Sequence, residues 1–166
     1  MVSGENIAHI WSRAAETQHK AFMAEALLEA RKAAAMGEVP VGAVLTLGEK
    51  IIARGYNRKE TSADPTLHGE IVAITGAARV LNAWRLAGTT LYVTLEPCLM
   101  CMGALIAARV PGLVFGAMDP KAGACGSLFD LSNDTRLNHS IDVIGGICEA
   151  ESRRLLQDFF KELRKR

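Results

Sequence analysis

Apolar residues recur at helical spacing in four stretches, and these stretches predict four helices. The clearest runs from about Gln18 to Met36, where Met23, Leu27, Ala30 and Ala34 repeat at intervals of 4, 3 and 4. Gly37 ends this pattern, as glycine commonly does after a helix. The other predicted helices span about Gly69–Leu81, Cys98–Ala108 and Glu149–Leu163.

Residues 1–18 are polar and mixed, and two interpretations stay open. Ile7, Ile10, Trp11 and Ala14 are spaced 3, 1 and 3 apart, which allows a short amphipathic helix. A frayed extension is equally compatible with this composition. We therefore assign residues 1–18 to an N-terminal extension of unknown role and residues 19–166 to one domain.

Runs rich in β-branched and apolar residues predict five strands. The first two, Val39–Leu47 and Ile51–Tyr56, are joined by the polar turn Gly48-Glu49-Lys50, which is typical of a β-hairpin. The remaining strands are predicted at Thr89–Leu95, Leu113–Met118 and Ile141–Ile147.

The predicted element order is α-β-β-α-β-α-β-β-α. Because a helix joins the third strand to the fourth, those two strands should be parallel. A hairpin followed by a parallel β-α-β unit gives a mixed sheet of about five strands with helices on both faces. The fold class is therefore a three-layer α/β domain.

The composition is that of a globular protein, with 49% hydrophobic and 22% charged residues. No apolar run approaches the roughly 18–20 residues that cross a bilayer. The N-terminus lacks the pattern of a cleaved signal peptide. We therefore expect a cytoplasmic protein with no membrane partner.

The net charge is only +1, but positive charge gathers at the C-terminus. Residues 151–166 hold six positive and three negative side chains, a net +3, which leaves −2 for the rest of the chain. This end is either a contact surface for phosphates or a solvated helix end whose cations suit the helix dipole. Phe159 and Phe160 of this helix point about 100° apart, so one should pack in the core and the other can be exposed.

Four cysteines are present, at positions 98, 101, 125 and 148, which is too few for a disulfide scaffold. Reduced thiols or a metal site fit a chain without an export signal. Cys125 and Cys148 have no partner at metal-ligand spacing, so we expect them to be small buried apolar residues.

Two short segments combine metal-ligand residue types. The first is His68-Gly69-Glu70, and the second is Glu96-Pro97-Cys98-Leu99-Met100-Cys101. Cys98 and Cys101 stand at i and i+3, which brings both sulfurs to one face of a helix. Pro97 is suited to the first helical position, and a helix N-terminus favours the thiolates that zinc requires.

One imidazole and two thiolates leave a fourth tetrahedral position open, which is the pattern of a catalytic zinc site. Zinc lowers the pKa of water in such a position. Glu70 lies two residues from His68 and can act as the proton shuttle. Taken alone, the cysteine pair is also compatible with a redox pair or half of a structural zinc site.

An H-x-E segment followed by P-C-x-x-C is the signature of zinc nucleobase deaminases. Beyond it, the chain resembles the bacterial tRNA adenosine deaminases (TadA-type) of the cytidine deaminase superfamily from about His19 to Leu163. The matching stretches are Glu38–Val44, Tyr56–Arg58, Asp64–Thr66, Leu91–Cys98, Phe115–Ala117, Asp119 with Lys121, Gly123-Ala124, Gly126–Leu128, Asn138-His139 and Leu155–Phe160.

The resemblance implies hydrolytic, zinc-dependent deamination of adenosine to inosine at the wobble position of a tRNA anticodon loop. It implies one zinc ion per chain, no organic cofactor and a homodimer. By this resemblance His68, Cys98 and Cys101 hold the zinc ion and Glu70 moves the proton. The implied substrate-binding residues are Asn57 at the flipped base or its ribose, Val41 against the base face, Gly69 beside it, Asp119 and Lys121 at the loop nucleotides, and Phe160 along the RNA.

The chain departs from the family at Gly69, where the family usually has alanine. The backbone N–H at this position, which we expect to be available to the base, survives the change. The absence of the methyl group leaves open an effect on the shape of the substrate site. Two other functions also remain open. One is deamination of a free base or nucleoside such as guanine or cytosine, and the other is RNA binding without catalysis.

Overall fold

The computed structural model describes residues 13–166, and this part of the chain holds five helices and five strands. The helices are α1 (Arg13–Ala35), α2 (Lys59–Ser62), α3 (Gly69–Leu81), α4 (Leu99–Ala107) and α5 (Glu149–Leu163). The strands are β1 (Gly42–Leu47), β2 (Lys50–Tyr56), β3 (Thr89–Leu95), β4 (Gly112–Ala117) and β5 (Asp142–Ile144). The predicted elements are confirmed in type and order, and the single turn α2 is additional.

The strands form one mixed sheet in the order β2-β1-β3-β4-β5. β1 is antiparallel to both β2 and β3, whereas β3, β4 and β5 are parallel to one another. The hairpin and the parallel β3-α4-β4 unit are therefore both confirmed. The carboxyl ends of β3 and β4 lie side by side, and the chain enters the next segments from there.

Helices cover both faces of the sheet, which gives the predicted three layers. Val44, Tyr92 and Val114 are aligned across β1, β3 and β4 and pack against Met23 and Ala26 of α1. Their sequence neighbours point to the other face, because side chains alternate along a strand. That second core is larger and includes α3 and α4.

Two glycines let helices touch the strands directly. A Cβ at Gly42 would lie 2.1 Å from the carbonyl oxygen of Ala26, so α1 crosses β1 in backbone contact. A Cβ at Gly55 would lie 2.3 Å from the carbonyl oxygen of Gly69, so the first residue of α3 rests on β2. Both positions accept only glycine without a backbone shift. The second contact places the start of α3 at the end of the hairpin.

In the described part of the chain the first helix spans Arg13–Ala35, so it already includes residues ahead of the predicted start near Gln18. An ion pair of 2.7 Å between Glu16 and Lys20 supports this added turn. The possible amphipathic helix in residues 1–18 lies largely outside the described residues, because these begin at position 13. The assignment of residues 1–18 to an extension of unknown role stays a prediction.

Two predicted strands are shorter in the structure. The N–H of Val41 donates to the carbonyl of Val39 at 2.8 Å, a tight turn around Pro40, so the first strand begins at Gly42. The last strand ends at Ile144 because Gly146 has a φ of +87° and turns the chain. Within residues 13–166, no helix combines the length and apolar character needed to cross a bilayer.

Candidate active site

His68 is the residue that immediately precedes α3. Its backbone is extended, with φ −73° and ψ 153°, and its carbonyl accepts the N–H of Val72 at 3.1 Å to start the helix. The loop before it is held by Asp64, whose Oδ1 accepts the N–H and the hydroxyl of Thr66 at 2.8 and 2.7 Å. The imidazole is therefore presented at the N-terminal end of a helix from a shaped loop.

Cys98 occupies the equivalent place before α4. It has φ −76° and ψ 176°, and its carbonyl accepts the N–H of Met102 at 2.9 Å. The prediction that Pro97 is the first helical residue is therefore wrong, because the helix begins at Leu99 and Pro97 lies before its cap. Cys101 lies in the first turn of α4 and is fully buried. The pair of thiols flanks the helix start.

The three predicted ligand residues come together. Nδ1 of His68 lies 3.6 Å from Sγ of Cys98 and 3.5 Å from Sγ of Cys101, and all three atoms are within 4.8 Å of one another. Zn–S bonds of about 2.3 Å and Zn–N bonds of about 2.1 Å at tetrahedral angles place such atoms about 3.6 Å apart. The donor set and its spacing therefore fit a zinc ion with one coordination position left for a further group.

Glu70 lies in the first turn of α3 and is only 3% exposed. Among the described residues, its Oε2 atom is buried and has no hydrogen-bond partner. Burial raises the pKa of Glu70 to about 7, against the opposing influence of its own backbone N–H and of His68. A buried carboxylate oxygen without a partner is costly. Its position beside the ligand atoms fits an acceptor for a proton of the substrate water.

The two thiols are electrostatically unequal. A hydrogen bond from Cys101 lowers the pKa of Cys98 to about 3, against the cost of its burial, and His68 also lowers it. The same bond, together with burial and the charge of Glu70, raises the pKa of Cys101. A hydrogen bond to Cys98 raises the pKa of His68, against the effect of its burial. The geometry thus favours a thiolate at Cys98, which is the form that binds zinc.

Asn57 lies beside the start of α3 and is 5% exposed. Its Oδ1 accepts the backbone N–H of Gly69 at 2.8 Å, and its own N–H donates to the carbonyl of Val41 at 3.1 Å. The expectation that the Gly69 N–H is available to a base is therefore wrong, because Asn57 already uses it. This bond fixes the amide so that its Nδ2 donors point away from the Gly69 N–H.

The missing methyl group at Gly69 faces the strands. A Cβ there would lie 3.2 Å from both the Cα of Tyr56 and the carbonyl oxygen of Val41. An alanine at this position would press on the ends of β1 and β2. Val41 is 4% exposed and belongs to the large core, so little of its side chain remains for contact with a base.

Asp119 and Lys121 lie in the segment after β4. Oδ1 of Asp119 accepts the N–H groups of Lys121 and Ala122 at 3.0 and 3.3 Å, so this carboxylate shapes its own turn. Lys121 is exposed. Gly123 of the same segment forms a backbone bridge with Cys98. This segment therefore borders the cysteine pair.

Phe160 lies on α5 and is 43% exposed, whereas Phe159 is half-buried. The two rings meet edge-on, with 5.4 Å between their centroids. Phe160 is therefore the exposed member of the pair, and an exposed ring suits an RNA contact. α5 packs on β4, β3 and α1, whereas His68 and the cysteines belong to α3 and α4 on the other side of the sheet.

One further residue of this site, Glu96, is not revealed by spacing in the sequence. Glu96 is 2% exposed at the end of β3, and its carboxylate accepts hydrogen bonds from the segment that holds Asp119. The available signal was an acidic residue at the end of an apolar strand. Its partners are 23 to 31 positions away along the chain, so spacing could not reveal them.

Comparisons with known proteins agree with this geometry. A family model described as MafB19-like deaminase matches residues 17–164. The tRNA-specific adenosine deaminase of Bacillus subtilis (strain 168) is 49% identical over 150 residues, which cover 90% of this chain and 93% of that protein.

Two solved structures share the fold. One, from a study of A-to-I editing by tRNA A34 deaminases at the wobble position of transfer RNA, is 46% identical with a TM-score of 0.79. It covers 81% of this chain and 98% of its own. A guanine deaminase from Nitrosomonas europaea is 25% identical with a TM-score of 0.72, covering 84% of this chain and 83% of that one. The family match and the close curated relative together make the chain an enzyme of the tRNA-specific adenosine deaminase family.

Proposed function

We propose that this protein hydrolyses the 6-amino group of adenosine at the wobble position of a tRNA anticodon loop and leaves inosine. The observation that carries the proposal is the cluster of His68, Cys98 and Cys101 beside the buried Oε2 of Glu70. A hydrolytic deaminase needs an activated water and a group that moves its proton, and this cluster offers both. The relatives named above are tRNA-specific adenosine deaminases, which supports the choice of substrate.

His68, Cys98 and Cys101 would hold one zinc ion per chain. A bound zinc ion acidifies water and so supplies a nucleophile at neutral pH. Glu70 takes one proton from the attacking water and gives it to the ring nitrogen next to the reacting carbon. It then takes the second proton from the hydroxyl now bound to that carbon and gives it to the amino group, which leaves as ammonia while the carbon–oxygen double bond of inosine forms. Water is consumed and ammonia is released, so no organic cofactor enters this balance.

Asn57 orients the base in this scheme. Its Oδ1 is occupied by the Gly69 N–H, so it offers the Nδ2 hydrogens to acceptor atoms of the flipped nucleoside. Val41 supports Asn57 through its carbonyl. A flipped base is available here because anticodon nucleotides are already unstacked.

RNA contacts would extend from the site along exposed groups. Lys121 on the rim offers a cation, and Asp119 keeps that turn in shape. Of the six cations at the C-terminal end, Arg153, Arg154 and Lys165 are paired with acids of α5. Among the described residues, the other three (Lys161, Arg164 and Arg166) form no ion pair, so they are free for phosphates near Phe160.

A homodimer is part of the proposal. Five large apolar side chains are 36–54% exposed around the start of α4 and the segment after β4: Leu99, Met100, Met118, Leu128 and Phe129. The backbone bridge between Cys98 and Gly123 joins these two segments. Contiguous apolar surface beside a site is typical of a protein interface. Sedimentation should give about twice the mass of 17.8 kDa. We place the enzyme in the cytoplasm, where its tRNA substrate is processed.

The deciding experiment measures ammonia release by the zinc-loaded protein on an anticodon stem-loop with a wobble adenosine and on a panel of free bases and nucleosides, and it also measures inosine formation in the stem-loop. We expect turnover on the stem-loop alone. Turnover on guanine alone would replace the proposal by the activity of the structurally similar guanine deaminase.

Glu70→Gln tests the proposed proton path. It keeps the shape of the side chain but removes the proton acceptor, so we expect turnover to fall by roughly 10²–10⁴-fold. Zinc content is the control and should stay at one ion per chain. Normal turnover in this variant would remove Glu70 from the mechanism.

A further inference from the structure

The carboxylate of Glu96 lies buried between the end of β3 and the segment after β4. Its Oε1 accepts the N–H of Ser127 at 2.9 Å and that of Cys125 at 3.3 Å. Its Oε2 accepts the N–H of Asp119 at 2.9 Å and the hydroxyl of Ser127. Both oxygens are therefore used by one stretch of chain, which we call the anchored loop (residues 119–127).

Glu96 achieves this without a basic partner. Within residues 13–166, no lysine, arginine or histidine forms an ion pair with it. A buried carboxylate that is balanced by backbone N–H groups constrains the backbone more tightly than one neutralised by a mobile side chain. The groups that satisfy Glu96 belong to the loop itself, and most of them are backbone N–H groups.

Gly123 makes room for this carboxylate. A Cβ at that position would lie 2.3 Å from Oε2 of Glu96 and 2.6 Å from the carbonyl oxygen of Asp119. The loop thus wraps closely around the carboxylate, and any side chain beyond hydrogen would displace it. This close packing indicates that the loop backbone is shaped to bind the Glu96 carboxylate.

The anchored loop is also fastened to the turn that carries the cysteines. Gly123 forms a backbone bridge with Cys98, and the N–H of Ala124 donates to the carbonyl of Pro97 at 2.8 Å. Glu96 directly precedes this turn in the sequence. One carboxylate therefore connects the cysteine turn with the loop that presents Asp119 and Lys121.

We propose that Glu96 is the positioning residue that holds the anchored loop, with Lys121, in register against the cysteine turn so that the loop can bind RNA. The role of the loop in RNA binding rests on the proposed function. Glu96 itself touches neither substrate nor metal and acts through the loop.

Glu96→Gln is the sharpest test. A glutamine keeps one acceptor oxygen but replaces the other with an NH2 group, which then faces N–H or O–H donors. At least one backbone N–H, that of Asp119, therefore loses its acceptor, because the Ser127 hydroxyl can turn and accept from the NH2 group. Glu29→Gln is the matched control, because Glu29 is also 2% exposed but pairs with Lys32 of α1 and Arg54 of β2, away from the loop.

Two readouts are measured on the zinc-loaded variants. Hydrogen exchange of the amides of Asp119, Cys125 and Ser127 should quicken by about ten-fold or more in Glu96→Gln and stay unchanged in Glu29→Gln. The KM for the stem-loop should rise by about five-fold or more with kcat within about two-fold, since the loop supplies binding and not chemistry. Zinc content should stay at one ion per chain.

Ser127→Ala provides a second, milder variant should Glu96→Gln fold poorly. It removes only the hydroxyl donor, so both readouts should move in the same direction by a smaller factor. Added to Glu96→Gln, it should have less effect than it has alone, because both changes affect one interaction.

Three results would overturn the proposal: unchanged loop exchange in Glu96→Gln, equal acceleration in Glu29→Gln, or faster exchange with an unchanged KM. A wild-type protein that does not deaminate the stem-loop would instead refute the proposed function. The exchange measurement needs no RNA, so it would still decide whether Glu96 holds the loop.

Discussion

Replacement of Asn57 separates its structural role from its role at the substrate. Asn57→Ala removes the acceptor of the Gly69 N–H, a bond of 2.8 Å in a buried place. A buried N–H without a partner costs about 1–3 kcal/mol of stability. In a chain of this size, a loss of about 2 kcal/mol lowers the Tm by roughly 4–8 °C. Asn57→Asp keeps an acceptor oxygen at the positive end of α3, so it should lose less stability than Asn57→Ala.

Both variants lose the amide donors, so both should bind the nucleoside poorly. The assay for stability is urea unfolding followed by far-UV circular dichroism at a buffered concentration of free zinc, because metal binding and folding are linked. The assay for function is stem-loop deamination, with KM and kcat determined separately. Equal destabilisation of Asn57→Asp and Asn57→Ala would refute the structural role of Asn57, and a wild-type KM in either variant would refute its role at the substrate.

Three further results are expected. Cys98→Ser should reduce zinc from one ion per chain to nearly none, measured by atomic absorption, yet leave the metal-free fold intact because serine is a good cap for α4. Burial alone would raise the pKa of Glu38, but the N–H groups of Thr61 and Glu60 lower it overall, so its stabilising effect is present above about pH 4.5 and disappears as the pH falls further. The difference in unfolding free energy between wild type and Glu38→Gln should therefore shrink below that pH, and a constant difference would refute this. Removal of residues 161–166 should weaken stem-loop binding. The slope of log affinity against log salt concentration should become shallower by about 0.7 for each phosphate contact that is lost. An unchanged slope would mean that this end is only a solvated helix terminus.

The parts of the site that could be predicted are those determined by the spacing of residues that are close in the sequence. His68 and Glu70 are two residues apart, and Cys98 and Cys101 are three apart, so each pair is brought together by a single helix start. That the two pairs meet was implied only by the resemblance to zinc nucleobase deaminases, because local spacing does not determine how two distant helix starts are arranged.

The parts that escaped prediction depend on contacts between distant segments. The bond between Asn57 and Gly69 joins a strand end to a helix start and revised the expected role of the Gly69 N–H. Glu96 is held mostly by backbone N–H groups, and because every residue except proline has one, the sequence does not show which of them will bind it. α4 begins at Leu99 rather than at Pro97, and helix boundaries commonly differ by one or two residues in this way.

The helix starts that carry His68 and the cysteine pair belong to one face of the sheet, whereas the groups proposed to recognise RNA come from the segment after β4 and from α5. This separation lets evolution exchange the recognition surface while it preserves the hydrolytic centre. New specificities are therefore most accessible through exposed side chains such as Lys121 and those of the last helix, whereas Gly123 and the groups bonded to Glu96 are tied to the cysteine turn.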